Sequence, residues 1–196
     1  MNRAAFYILS WFLVMGLVPA KATACVNLDI NVGTIDSAEG RLFAQIVSTF
    51  IHERTGTKSI IKFYPNAKEM HAAIGEKEVE LIIVNIDQTL ETAGLAVGSE
   101  PEANYLAAKK IYKEDMALVL LASFGSLDSD SAGAGSISPV LAKIVLEKFP
   151  ALPRLLKKLS GKIDSETTSI LLSSVKDEGK KPARVAKDFL VSKRLI

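Results

Sequence analysis

The segment that most narrows the choice of fold is VELIIVNI, residues 79–86, where Leu81, Ile82, Ile83 and Val84 are four consecutive apolar residues. A strand with one face in water alternates apolar and polar side chains, whereas a strand covered on both faces need not. The run is too short for a free-standing helix, so it reads as a strand with helices above and below it. Such a strand suits an α/β layered fold, provided that helices alternate with strands along the chain.

The preceding residues supply such layers. LDINVG alternates Leu28, Ile30 and Val32 with polar residues and ends at Gly33, as a strand with one better-buried face would. DSAEGRLFAQIVSTFIHERTG follows, with Leu42, Phe43, Ile46, Val47, Phe50 and Ile51 at helical spacing. Asp36 or Ser37 is its expected N-cap and Gly56 its stop. The unit repeats in SIIKFY as a strand, NAKEMHAAIGEKE as a shorter helix, and VELIIVNI as the third strand. Alternation of this kind predicts a parallel sheet with right-handed crossovers.

Beyond it, a glycine-punctuated segment, 93–103, precedes a short helix expected around Tyr105 to Tyr112, and MALVLLASF reads as a fourth strand. SFGSLDSDSAGAGSIS, residues 123–138, has no hydrophobic periodicity and reads as a flexible linker. From Pro139 onward the spacing predicts helices only. Ser138 caps the first, with Pro139 at its first position and Val140, Leu141, Ile144, Val145 and Phe149 on one face. A second spans Arg154 to Leu159, Asp164 caps a third, and Pro182 opens a fourth.

The first two dozen residues are set apart from this scheme. Arg3, the apolar run AAFYILSWFLVMGLV and the small-x-small pair Ala22 and Ala24 form the three parts of a secretory signal peptide, residues 1–24. Ordinary cleavage after Ala24, lipid modification of Cys25 and a retained anchor all remain open. Localisation is accordingly expected to be periplasmic or otherwise extracytoplasmic, with membrane attachment only through a lipidated Cys25. The whole chain has 24 Lys and Arg against 22 Asp and Glu. Losing Arg3 and Lys21 with the signal leaves 22 against 22, a neutral chain with no argument for nucleic acid. Cys25 is the single cysteine, so burial rather than a disulfide has to hold the fold.

Sites for chemistry are scarce. His52 and His71 lie on different expected helices with no further ligand at metal spacing, GAGSIS lacks a nucleophile elbow, and the SGK at Ser160 lacks the upstream glycine of a phosphate loop. No catalytic residue, metal or cofactor is expected. In an open parallel sheet, ligands bind outside the C-terminal ends of the strands. Those ends carry Thr34, Asp36, Ser37 and Glu39 after the first strand, Asn66 after the second, and Asn85 and Asp87 after the third. These seven are the candidate ligand-binding residues; Asp36, Asn66 and Asp87 could equally be helix caps alone.

Two parts of the chain resemble a known family. The opening DINVGTIDSAEGRLFAQIVSTFIHERTG, with the second strand, helix and EVELIIVNI, resembles type 2 periplasmic substrate-binding proteins. The tail KLSGKIDSETTSILLSSVKDEGKKPARVAKDFLVSKRLI resembles the end of the glycine betaine, choline and osmoprotectant subgroup, through Gly161, Lys162, Gly179, Lys180, Pro182, Val185, Ala186, Phe189 and Leu190. The resemblance implies a three-layer α/β lobe with a mainly parallel sheet, plus a helical C-terminal tail, spanning 25–196. In that family a second lobe is inserted after the strand matched by MALVLLASF, and here only 123–138 stands in its place. The implied function is solute binding for an ABC-type importer, with a permease as partner and a small quaternary amine or other polar solute as ligand. Tyrosines of an aromatic cage are missing where the family often has them, at 80–85, and the single tryptophan, Trp11, lies in the signal. The alternative is a non-transport module on the same scaffold that contacts another envelope protein.

Overall fold

The computed structural model describes residues 29–128 and 135–196. Residues 1–24, read above as a signal peptide, Cys25 and the centre of the expected linker therefore lie outside the described residues. Strand β1, Ile30–Ile35, leads into helix α1, Ala38–Thr55. Ser37 caps it by accepting a hydrogen bond from the Gly40 amide, and Gly56 ends it at φ 73°, a left-handed conformation that glycine adopts without strain. Strand β2, Ser59–Tyr64, helix α2, Ala67–Gly75, strand β3, Leu81–Asn85, and helix α3, Ile86–Thr92, complete the repeat. Helix α4 runs over Pro101–Glu114, longer than its central spacing indicates because Pro101 starts it.

With strands β4, Val119–Leu120, and β6, Gly135–Leu141, the sheet has the order β2-β1-β3-β6-β4. β1 pairs in parallel with both β2 and β3. Strand β6 runs antiparallel between β3 and β4. Strand β5, Gly125–Leu127, pairs antiparallel with β6. Five strands thus share one direction and β6 opposes them, in keeping with the mainly parallel sheet expected.

β6 corrects the sequence reading at two points. Residues 123–138 are not a structureless linker, because β5 and the first half of β6 lie within them. Pro139 does not open a helix, because Val140 and Leu141 continue the strand and are both fully buried. Proline is tolerated there because of the gap between β4 and β5. The Pro139 carbonyl accepts from the Leu121 amide at 2.9 Å, so its nitrogen also faces that gap, and the missing N–H removes no bond to β3. The fourth strand is correspondingly short, two residues of the nine in MALVLLASF. Leu127 stands opposite Gly135, so 128–134 joins two adjacent strands.

Two hydrophobic clusters cover the two faces of the sheet. Leu81 and Ile83 belong to one and Ile82 and Val84 to the other, so β3 is buried on both sides as its sequence requires. Helices α2, α3 and α4 cover one face, with Met70, Ile74, Leu90, Ala108 and Tyr112 in its core. The other is covered by α1 and the C-terminal helices α5, Lys143–Lys148, α6, Leu152–Leu156, α7, Ser165–Lys176, and α8, Pro182–Ser192. Asp164 caps α7 through the Thr167 amide, 2.8 Å away. Val185, Ala186, Phe189 and Leu190, residues that carried the family resemblance of the tail, are all buried against the α1 face.

Candidate functional site at the strand ends

The C-terminal ends of β1 and β3 and the first turns of α1 and α3 surround a shallow cavity of about 120 Å³. Thr34, Ser37, Glu39, Asn85 and Gln88 give its polar lining, and Phe43, Ile83, Val84, Leu127 and Ile137 its apolar one. The local sequence explains why these groups converge. A Cβ on Gly40 would stand 2.1 Å from the Ile35 carbonyl oxygen and 2.8 Å from Thr34 Oγ1, so only glycine lets α1 begin this close to β1. Gly125 acts similarly from the other side, since a Cβ there would meet the Phe43 ring at 2.7 Å. Phe43 is in turn held edge-on against Phe124, with ring centroids 5.7 Å apart.

Four of the seven candidate residues, Thr34, Ser37, Glu39 and Asn85, are brought together here. Glu39 is held by Lys176 of α7, Nζ to Oε1 2.8 Å, a contact 137 residues away that no local pattern could have signalled. Burial works against its charge, but the Lys176 hydrogen bond and other local bonds outweigh it and keep the carboxyl below its ordinary range. Asn85 Oδ1 accepts from the Asp87 amide at 2.9 Å and the Gln88 amide at 3.4 Å, capping α3. Gln88, one turn into that helix, is the polar lining residue that the sequence reading left out.

The other three candidates stand apart from the lining. Asp36 turns outward to Arg41, 2.6 Å away, whose guanidinium lies 4.5 Å over the Phe63 ring. Asn66 caps α2, accepting from the Glu69 amide at 2.9 Å, and is exposed beyond the edge strand β2. Asp87 flanks the cavity without lining it. Its Oδ1 accepts from Asn104 Nδ2 at 3.2 Å, and Gly135 passes so close that a Cβ there would meet both Asn85 and Asp87. Burial pushes the Asp87 carboxyl up from the usual aspartate value, against the Asn104 hydrogen bond. Among the described residues, no group of three or more His, Cys, Asp or Glu could hold a metal ion.

Comparison with known proteins bears on the fold that carries this cavity. Residues 118–192 match the family model described as the substrate binding domain of ABC-type glycine betaine transport system. The fold superposes on a glycine betaine/carnitine/choline ABC transporter structure with a TM-score of 0.75 at 13% identity, covering 86% of this chain and 98% of that one. The chain shares its fold with the substrate-binding proteins of glycine betaine and choline ABC transporters. Apo YehZ from Escherichia coli gives a TM-score of 0.73 at 14% identity, over 86% of this chain and 99% of that one. An ABC-transporter choline binding protein in complex with choline gives 0.61 at 8%, over 85% and 89%. No curated protein sequence matches the chain significantly. The resemblance read from the tail is thus borne out. No helix among the described residues is long and apolar enough to cross a membrane.

Proposed function

We propose that the chain is the solute-binding component of an ABC-type importer, exported by residues 1–24 and working with a permease. Its ligand is a small quaternary amine or another polar solute. The observation that carries this reading is the convergence of Thr34, Ser37, Glu39, Asn85 and Gln88 on one cavity at the strand ends. That edge is where open α/β sheets take ligands. Residues 25–196 act as a single lobe, supported by the Leu127 and Gly135 pairing that joins β5 directly to β6. One lobe encloses a ligand from one side only, and sites that bury a ligand fully measure roughly 300–1,000 Å³. The cavity of about 120 Å³ therefore favours weak binding. A thermal-shift screen of the protein against glycine betaine, choline, carnitine, amino acids and oxyanions tests the proposal. One solute should stabilise the parent, and Asn85→Ala should abolish the effect.

The small cavity and its single aromatic residue, Phe43, favour a second reading, an envelope interaction module that kept the scaffold without the solute. That reading expects a flat response to every solute and a protein partner that co-purifies.

A further inference from the structure

Three side chains from three helices meet on the sheet face covered by α2, α3 and α4. His71 Nε2 lies 2.9 Å from the Tyr112 hydroxyl, which lies 3.0 Å from Thr89 Oγ1. Thr89 Oγ1 in turn donates to the Asn85 carbonyl at 2.8 Å. Tyr112 is fully buried, Thr89 is buried and His71 is half-buried, so solvent does not repair an unmatched contact at the centre of this chain.

Counting protons fixes its direction. A carbonyl oxygen has no proton, so the Thr89 hydroxyl must give its own to Asn85. Tyr112 has one proton, for either Thr89 or His71. If it goes to His71, the Tyr112 and Thr89 oxygens face each other across 3.0 Å with only lone pairs between them. If it goes to Thr89, the Tyr112 oxygen needs a donor, and among the described residues the neighbour able to supply one is His71 Nε2–H.

We infer that His71, Tyr112 and Thr89 form a one-way hydrogen-bond relay, from His71 Nε2–H to the Asn85 carbonyl, which positions the turn carrying Asn85 at the cavity. Asn85 is then clamped twice, by its carbonyl from behind and by its side chain on the Asp87 and Gln88 amides in front. His71 and Tyr112 are positioning residues, since neither lines the cavity. The neutral Nε2–H tautomer and the imidazolium both donate from Nε2, so the relay keeps its direction in either charge state. Its value for ligand capture rests on the function proposed above; the relay itself rests on the three distances.

Nitrogen-15 NMR of the two histidine rings tests it without any ligand. At pH 8, His71 should show the Nε2–H tautomer almost alone, with exposed His52 as the internal reference. Tyr112→Phe keeps the ring and removes the link. It should mix the His71 tautomers and speed amide exchange at Asp87 and Gln88 by tenfold or more, with no change at Glu69, capped separately by Asn66. Should that variant fail to fold, Thr89→Val replaces it, with Thr89→Ser expected to restore slow exchange. An Nδ1–H tautomer in the parent, or unchanged exchange at Asp87 and Gln88 in the variants, overturns the relay. Neither result depends on solute binding, so failure of the transport reading and failure of the relay are told apart.

Discussion

Replacing Gly40 with alanine should be among the most damaging one-carbon changes in the protein. The added Cβ would sit 2.1 Å from the Ile35 carbonyl oxygen and 2.8 Å from Thr34 Oγ1, and backbone cannot yield as a flexible side chain can. The first turn of α1 must move away from β1, straining the site where the Gly40 amide donates to Ser37 Oγ at 3.0 Å. Overpacking of a tight site costs about 1–3 kcal/mol and a lost N-cap about 1 kcal/mol, giving about 2–4 kcal/mol together. For a chain of this size, each kcal/mol lowers the melting temperature by about 2–4 °C, so a fall of roughly 10 °C is expected. Gly75→Ala is the control. It lies at the end of α2 with nothing within 4 Å of its would-be Cβ, and helix propensity alone should leave it neutral or slightly stabilising. The assay is thermal denaturation followed by circular dichroism. If Gly40→Ala melts with the parent and the control, close approach does not hold α1 at the site, and the account of the cavity fails.

Phe43→Ala should destabilise by about 3–5 kcal/mol in urea titrations, because its fully buried ring meets Phe124 and backs the cavity. Glu39 is held below its ordinary value of 4.5, so its contribution is present above that pH and is lost as the pH falls through the lower folded value. Glu39→Gln should flatten this part of the acid stability profile. Burial lowers His71 from 6.5, so the unfolded chain takes up the proton first and stability should decline as the pH falls below about 6.5. His71→Asn should remove that slope, which denaturant titrations between pH 5 and 8 would detect. Val140→Asp places a charge in a fully buried strand position and should prevent folding or cost more than about 3 kcal/mol, read by urea titration.

The first half of the fold was legible because its signals are local. Ser37 and Asn66 cap helices directly after strands, and the apolar run at 81–84 reads as a doubly covered strand; the third cap is Asn85 rather than Asp87, whose amide donates to it. β6 was not legible for a physical reason. Ser138, Pro139, Val140 and Leu141 satisfy the rules for a helix start as well as those for a strand. The pairing that decides between them lies 56 positions away, Ile83 against Pro139. The site divides in the same way. Strand-end geometry found Thr34, Ser37, Glu39 and Asn85, whereas the charge of Glu39 depends on Lys176, which only the fold brings near; Asp36 turns outward to Arg41, a local partner five residues on.

Isothermal calorimetry of the protein with glycine betaine, choline and carnitine, repeated on Asn85→Ala, tests the central claim most directly. The account predicts weak saturable heat for one of these or a related polar solute, lost in the variant. Heat that persists unchanged in Asn85→Ala, or none for any solute up to millimolar concentration, would contradict it.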